Sequence, residues 1–551
     1  MAFVLLLLGL FILANPTLYA DKAKKLESHQ PILKEIILVD APEKILTGKY
    51  YGDESVVIEN FDVPNEEKLK NRLEAYIGEP ITISLLDEIR DRIVNFYHDE
   101  GYPLVGVSAP AGQDISGGKV YIMILIGKLK EVKARGAKYF SNEKIAEEIS
   151  LKPGDEITLK PLLDDISWLN QNPFRSVQLV YEKGPSLGQT DIVLVTEDRK
   201  PWRLYAGYLN TGNIIAGNSR WFTGLNLGNL WNADHQLNLQ FASGTPLNDW
   251  WGVDGNYIAP LPWRHIWKVM GSYTKAKPEN LSDLQGFSPN KQSGFQAQAA
   301  TRYEILLPTL NSYQHSCEIG YEYKRENNAL TVSPALIFNT TLEISQFTLG
   351  YNFTWEGLNG TTFFDFVAFL SPGNMTSKNS NKYFEAQRPG AHANYAYFRW
   401  SLDRTQMLPK KFSWVLSSLF QWTGSKLEPS EELSLGGYAT IRGYDENEIV
   451  SDRGMIIKNE FRSPPISFKK KKDDALQFLI FGDFGIANNV DEQIYNRDNV
   501  ALASVGPGVR YNIPGYLTFF FDWGIQLHYI KNRPFVDNQR GRIHTGITLG
   551  Y

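Results

Sequence analysis

His235-Gln-Leu-Asn-Leu-Gln-Phe-Ala242 puts Leu237, Leu239 and Phe241 on one side of an extended backbone and Asn238, Gln240 and Ala242 on the other. Successive side chains of a strand point to opposite faces, so this stretch reads as a strand between an apolar and a polar environment. The end of the chain does the same: Ile543, Ile547, Leu549 and Tyr551 fall opposite Arg542, His544, Thr548 and Gly550. Segments of this kind start near Arg203, Arg220, His235, Trp250, His265, Gly294, Ser312, Ile344, Thr361, Ala391, Phe412, Gly454, Ala475, Ala501, Gly515 and Gly541, sixteen in all. An even number of strands with polar residues inside and an aromatic-rich apolar face outside is the pattern of a transmembrane antiparallel β-barrel. A soluble sandwich also alternates, but it would not need so many strands of this length or stop on its last one. Residues 201 to 551 are therefore expected to form a 16-stranded barrel.

The bulk properties agree. At 551 residues the chain is too long for one ordinary core unless a large closed sheet takes up much of the length. Aromatics make up 13% of residues, with 28 Tyr, 30 Phe and 13 Trp, while the mean hydropathy is only −0.29. The one long apolar run, Val4 to Ala14, is shorter than the roughly 20 residues a spanning helix needs. It leads to Leu18-Tyr-Ala20 and then the charged Asp21-Lys-Ala-Lys-Lys25, which predicts a signal peptide over residues 1–20. A single cysteine, Cys317, rules out an internal disulfide and any multi-cysteine metal site. A net charge of −5 leaves no basic footprint for nucleic acid. The short run Lys469 to Lys472 is followed at once by Asp473 and Asp474 and reads as a solvated turn.

Before residue 201 the periodicity changes. Ile36 to Val39 is a strand; Glu66 to Tyr76 and Leu85 to Tyr97 have helical spacing; Leu104 to Val107 and Val120 to Ile126 are strands again. The order recurs with Leu129 to Lys133, Asn142 to Ile149, Lys160 to Leu169, Val177 to Tyr181 and Asp191 to Val195, so two copies of one small α/β unit are expected in tandem. Phe96, Tyr97 and Tyr102 read as core residues, with a binding role as the alternative.

Two segments stand out within the barrel region. Leu435-Gly-Gly-Tyr-Ala-Thr-Ile-Arg-Gly-Tyr444 has the glycine-rich composition of a loop, and Phe481-Gly-Asp-Phe-Gly485 lies in a strand-like run. An unpaired arginine in a lumen is disfavoured, and a guanidinium fork can bind a carboxylate through two hydrogen bonds. Asp483 is the expected partner of Arg442; the alternative is a solvated Arg442 with Asp483 capping a turn. Gly443 would allow positive φ at the loop tip, and Tyr444 would pack its ring with its hydroxyl on water. Asp445, Glu446 and Glu448 read as solvated loop charges. There is no His-Glu-x-x-His, and Ser116-Gly-Gly-Lys-Val120 lacks the residue a phosphate loop requires after its lysine. No catalytic site, cofactor or metal is expected.

Taken together, these segments resemble the outer-membrane transporters of two-partner secretion, the haemolysin secretion/activation family within the polypeptide-transport barrel superfamily. Ile89 to Pro103 with Pro110 to Gly118 looks like the family's first periplasmic POTRA (polypeptide-transport-associated) domain, placed at residues 27–126. Trp168-Leu-Asn-Gln-Asn-Pro-Phe174 with Gly184 and Gly188 to Asp191 looks like the second, at residues 127–199. Ile441-Arg442-Gly443-Tyr444 is similar to the signature at the tip of the family's sixth loop, and Phe481, Asp483 and Gly485 to the barrel-wall motif it meets. His544, Gly546, Leu549 and Tyr551 fit its C-terminal assembly signal. The resemblance implies a monomeric pore in the bacterial outer membrane, with its POTRA domains in the periplasm. Those domains would capture an unfolded secreted exoprotein by β-augmentation, and the barrel-assembly machinery and outer-membrane lipid would be its other partners. Alternatives are an insertase for other barrels, which usually has more POTRA copies, and a passive porin, which needs none. Three departures are visible. The short stretch between Ala20 and Ile32 predicts that the plug helix many members carry is absent; Pro110 to Gln113 is one residue longer than usual; and residues 41–60 form a longer connection ending in a strand-like Val56-Val-Ile58.

Overall fold

Sixteen strands close edge to edge through antiparallel pairing. The computed structural model describes residues 30–47, 55–212, 217–245, 250–276, 294–310, 313–327, 341–468, 474–490, 500–528 and 540–551. The expectations for the signal peptide, the plug helix and Lys469 to Lys472 fall outside them. The chain divides into two compact units: residues 1–137, 141–169 and 177–197 form one, and 138–140, 170–176 and 198–551 the other.

The first unit holds two sheets. Strands β1 (Glu35–Val39), β2 (Val56–Ile58), β3 (Val105–Ser108) and β4 (Lys119–Ile126) lie in the order β2-β1-β4-β3. Helices α1 (Glu66–Glu74) and α2 (Ile83–Asp99) follow β2. Thr82 caps α2 by accepting the Leu85 N–H (3.0 Å). Ile89, Ile93, Phe96 and Tyr97, at helical spacing, are buried with Ile36, Leu38, Val120 and Ile122. Phe96 and Tyr97 are thus core residues, and Tyr102 packs edge-on against Tyr97. The Val56 to Ile58 segment is a strand; it pairs parallel with β1 from Ile36↔Val56 to Leu38↔Ile58 and takes that edge of the sheet. Alternate residues Ile37 and Val39 point to the other face, where Val57 and Ile45 of the long connection make a second small cluster with them. In the Pro110 to Gln113 segment, the Gln113 amide accepts the Tyr121 N–H (2.7 Å) and donates to Tyr121 O (3.1 Å), a side chain standing in for a strand partner.

The second sheet, β5 (Lys128–Arg135), β6 (Arg175–Lys183) and β7 (Gln189–Asp198), runs in the order β5-β7-β6. Helices α3 (Asn142–Glu147) and α4 (Leu159–Leu169) separate β5 from β6. The module therefore has the strand, helix, helix, strand, strand order read from the periodicity. Within the second unit, Asn172 Nδ2 donates to Gly228 O (2.6 Å). The ring of Phe174 covers the α-carbon of Gly228, where any side chain would overlap it.

The barrel strands are β8 (Trp202–Leu209), β9 (Arg220–Leu230), β10 (His235–Ser243), β11 (Trp250–Pro260), β12 (His265–Ala276), β13 (Gly294–Leu306), β14 (Tyr313–Asn327) and β15 (Thr341–Gly357). They continue with β16 (Gly360–Pro372), β17 (Asn394–Met407), β18 (Ser413–Thr423), β21 (Arg453–Arg462), β22 (Ala475–Asn488), β23 (Val500–Ile513), β24 (Leu517–Gln526) and β25 (Gly541–Gly550). Between β18 and β21 a long loop carries the short hairpin β19 (Leu433–Leu435) and β20 (Ile449–Ser451). Helix α5 (Asn381–Gln387) lies in the loop between β16 and β17. The alternation behaves as read: Leu239, Phe241, Ile543, Ile547 and Leu549 are exposed outward. Inside, Asn226 Nδ2 donates to Asn238 Oδ1 (2.6 Å) and Asn238 Nδ2 to Asn256 Oδ1 (2.7 Å), a polar ladder over three strands. No described helix is long and apolar enough to cross a membrane.

Tyr551 packs beside the first barrel strand. The Tyr551 ring lies 5.6 Å from that of Trp202, and its N–H donates to Leu204 O (2.9 Å). An aromatic ring with a polar edge suits the boundary between lipid and water. Tyr551→Ser is therefore expected to lower the amount of heat-modifiable, folded barrel recovered from membranes; normal amounts would show that the anchor is dispensable.

Candidate functional site: the loop tip in the barrel lumen

The loop from 424 to 452 is the sixth of the long connections at its end of the barrel, and its tip lies against the inner wall. Apolar residues seat it first. Ile441 is fully buried with Leu433, Leu435, Ile449, Ile456, Ala487 and Leu502. The wall makes room through a glycine: a Cβ at Gly485 would overlap Ile441 Cδ1. Tyr438 stacks on Phe520 with centroids 4.1 Å apart. At the turn itself Gly443 has φ +90°, and a Cβ there would stand 2.8 Å from the Gly524 backbone, so both conformation and space require glycine.

Arg442 is 1% exposed, which excludes the solvated alternative. Its Nε donates to Asp483 Oδ2 (2.7 Å) and Nη2 to Asp483 Oδ1 (2.8 Å), the two-pronged pair expected from the sequence. Its backbone N–H also donates to Asp483 Oδ2 (3.1 Å). Nη1 reaches Glu460 Oε1 (2.5 Å) and Asp522 Oδ2 (3.2 Å), and the guanidinium carbon lies 3.7 Å from the centroid of Phe481. Of the wall motif, Phe481, Asp483 and Gly485 therefore face the loop, while Phe484 faces outward.

The extra carboxylates have cations of their own. Arg510 donates to both Asp522 oxygens (2.6 and 2.8 Å) and to Glu460 (3.2 Å), and Arg462 donates twice to Glu460 (2.8 and 2.5 Å). Three guanidinium groups thus meet three carboxylates. Removing one partner from such a buried set leaves a charge without compensation, which costs about 3–5 kcal/mol. The sequence reading missed Glu460, Asp522 and Arg510. The lone acid within Phe519-Phe-Phe-Asp-Trp523 was a legible signal, since an acid in an aromatic strand must point into the lumen.

Around Arg442 the expectations need correction. The Tyr444 hydroxyl lies 2.6 Å from His528 O and 2.8 Å from Ala503 O, so backbone rather than water satisfies it. Asp445 pairs with Arg542, Glu446 accepts the Tyr438 N–H (2.8 Å), and Glu448 accepts the Asp445 N–H (3.1 Å); none is simply a solvated loop charge. Burial pushes the Glu446 carboxyl up to about 7. Lys458 Nζ donates to Tyr438 O (2.9 Å) and Ala439 O (3.0 Å). Among the C-terminal residues, Leu549 and Tyr551 point outward. Gly546 faces Leu209 and Phe520, which a Cβ would overlap. His544 is fully buried beneath the tip, its Nε2 accepting the Gly443 N–H (3.0 Å), which sets the neutral Nδ1–H tautomer.

Higher up, the loop has two more fastenings that sequence alone did not reveal. Glu431 accepts from Lys324 Nζ (2.7 Å), Gln346 Nε2 (3.1 Å) and Tyr397 OH (2.5 Å), side chains of β14, β15 and β17. Asp452 at the loop base takes both prongs of Arg388 (2.6 and 2.9 Å), a residue just past α5. Among the described residues no group of His, Cys, Asp and Glu could hold a metal ion. The arrangement can hold a loop in the lumen.

The chain matches the family model described as haemolysin secretion/activation protein ShlB/FhaC/HecB over residues 188–511, and that of the POTRA domain, ShlB-type, over residues 54–127. It is 23% identical over 475 residues to the heme/hemopexin transporter protein HuxB of Haemophilus influenzae strain 86-028NP, covering 82% of this chain and 78% of that one. With the outer membrane transporter CdiB of Escherichia coli O6:K15:H31 it shares 23% identity over 410 residues, 70% of this chain and 64% of the relative. The fold is similar to CdiB from Escherichia coli (TM-score 0.73, 14% identity, 97% of each chain). It is also similar to CdiB from Acinetobacter baumannii (TM-score 0.64, 16% identity, 95% and 91% of the chains).

Because Arg442 and Asp483 share one ion pair, Arg442→Ala and Asp483→Ala should each raise the conductance of single channels in planar bilayers. In a double-mutant cycle the two should be non-additive. Arg442→Lys should restore the closed level only in part, since an ammonium keeps the charge but not the fork. Defects that simply add would mean that the two residues act independently.

Proposed function

The chain belongs to the haemolysin secretion/activation family of outer-membrane two-partner secretion transporters, and from that premise we propose how its residues divide the work. The barrel lies in the outer membrane and the POTRA modules in the periplasm. An unfolded secreted exoprotein adds as a strand to a sheet edge in the modules, where backbone hydrogen bonds give affinity with little demand on sequence. The edge strands are β2 and β3 in the first sheet and β5 and β6 in the second. The client then enters the lumen, where the Ile441 to Tyr444 tip, latched to Phe481, Asp483 and Gly485, governs the opening. With no nucleotide-binding motif in the chain, folding of the client outside supplies the direction of transport.

The observation that carries this reading is the attachment of Arg442. A guanidinium held by three carboxylates and an aromatic face, on a loop with glycine at its turn, has the makeup of an element that either docks fully or leaves. Such bistability is what a gate requires. In biogenesis, the barrel-assembly machinery reads His544, Gly546, Leu549 and Tyr551, and the folded chain works as a monomer.

Deleting residues 27–126 should abolish secretion of the partner exoprotein while the heat-modifiable barrel still reaches the outer membrane, because capture and membrane insertion reside in different segments. Undiminished secretion by the truncated protein, measured in the culture supernatant, would overturn the capture role.

A further inference from the structure

The loop tip is tied to the barrel at a second place, the seam where the last strand meets the first. Backbone pairing between β25 and β8 covers only five residues, from Gly550↔Tyr205 to Gly546↔Leu209, against nine between β24 and β25. Beyond Leu209 a side chain carries the seam on. Asn210 donates its N–H to Thr545 O (3.1 Å), accepts the Thr545 N–H at Oδ1 (2.7 Å), and donates from Nδ2 to Ile543 O (2.8 Å).

At the next lumen-facing position Arg542 joins three segments. Its Nη2 donates to Gly212 O (2.8 Å) and Asn218 Oδ1 (3.2 Å), in the loop that follows β8. Its Nη1 pairs with Asp445, next to the Arg442-Gly443-Tyr444 turn. The Asp445 and Arg542 side chains are only 13% and 16% exposed, so their attraction is weakly screened by water. One turn of the pleat away, His544 accepts the Gly443 N–H. Two successive inward residues of the last strand therefore grip the loop tip, and one of them also grips the loop leaving the first strand.

We propose that Asp445 and Arg542 form a clasp that makes docking of the sixth loop and closure of the β8–β25 seam a single event. Docking brings the Asp445 carboxylate to Arg542; with that carboxylate in place, the rest of the guanidinium is aimed at Gly212 and Asn218 and the short seam gains a cross-tie. Withdrawal of the tip removes the anion, and the seam is left with its five backbone pairs, the Tyr551 to Leu204 bond and Asn210.

The test uses the purified full-length chain without client, so its outcome is independent of the secretion reading. Spin labels are placed through Leu204→Cys and Leu549→Cys, which flank the seam at 53% and 57% exposure, in a Cys317→Ser background, and pulsed EPR gives the distance distribution. Phe241→Cys with Val253→Cys, paired across β10 and β11, serves as the control. Asp445→Asn and Arg542→Gln should each broaden the seam distribution and leave the control unchanged; the double variant should be no broader than either; Arg542→Lys should fall between. Arg442→Ala should broaden the same seam, although its acidic partners lie on β21, β22 and β24. A seam unchanged in Asp445→Asn or in Arg442→Ala, additive broadening in the double variant, or equal broadening of the control would overturn the clasp. Asp445→Asn alters a loop residue only, so the test holds even if a variant at strand position 542 fails to fold.

Discussion

Arg442 carries a permanent positive charge into a place where water no longer solvates it, and the design of the lumen follows from neutralising that charge. Asp483 supplies two oxygens in the plane of the guanidinium, Glu460 and Asp522 supply a third and fourth contact, and Phe481 covers one face. Three carboxylates around one cation would repel one another, and Arg510 and Arg462 relieve that from the wall side. The wall thus holds a charge pattern that is complete only with the loop in place. An undocked loop leaves an acidic patch in the lumen and a guanidinium to be hydrated, two changes that accompany each other.

The other fastenings turn this local pair into a property of the loop as a whole. Asp452 anchors the base to Arg388, Glu431 fixes the descending limb to three wall strands, and Ile441 fills the space that Gly485 leaves open. Each contact restricts the chain for the next, so the conformational entropy of ordering the tip is shared among them. Apolar burial positions the tip and charge selects the wall position it meets. The close approach of Gly443 and Gly524 belongs to the same logic, because a backbone-to-backbone contact tolerates no side chain on either partner.

The two units handle strand edges in opposite ways. In the barrel each strand pairs on both sides, which is the condition for placing a sheet in lipid. The small sheets end in edge strands, where unpaired backbone groups are a template for another chain. Beside β1 the strand β2 pairs over three residues and covers that side of β1.

Much of the architecture was legible without coordinates because alternation of polar and apolar residues is a local property. The strand starts read at Arg220, His235, Trp250, His265, Gly294, Ala475 and Gly541 coincide with those observed, and the short strand at Val56 to Ile58 showed in its β-branched run. Arg442 and Asp483 were legible as well, because a cation in a glycine-rich loop and an acid in a strand-like run each break their local pattern. Glu460, Arg510, Asp522 and Arg388 were not matched to partners, and Asp445, Glu446 and Tyr444 were assigned to water. Those assignments depend on which strands become neighbours around a closed barrel and how deep a loop descends into it. Residues 445 and 542 meet because β25 returns to β8 and the tip reaches the same level of the wall. The sequence by itself determined which residues face lipid and which face the lumen, since strand periodicity decides that one residue at a time. Only the tertiary structure decided which lumen residues share a charge, because pairing across the barrel is set by closure and register, and neither is written in any single stretch of chain.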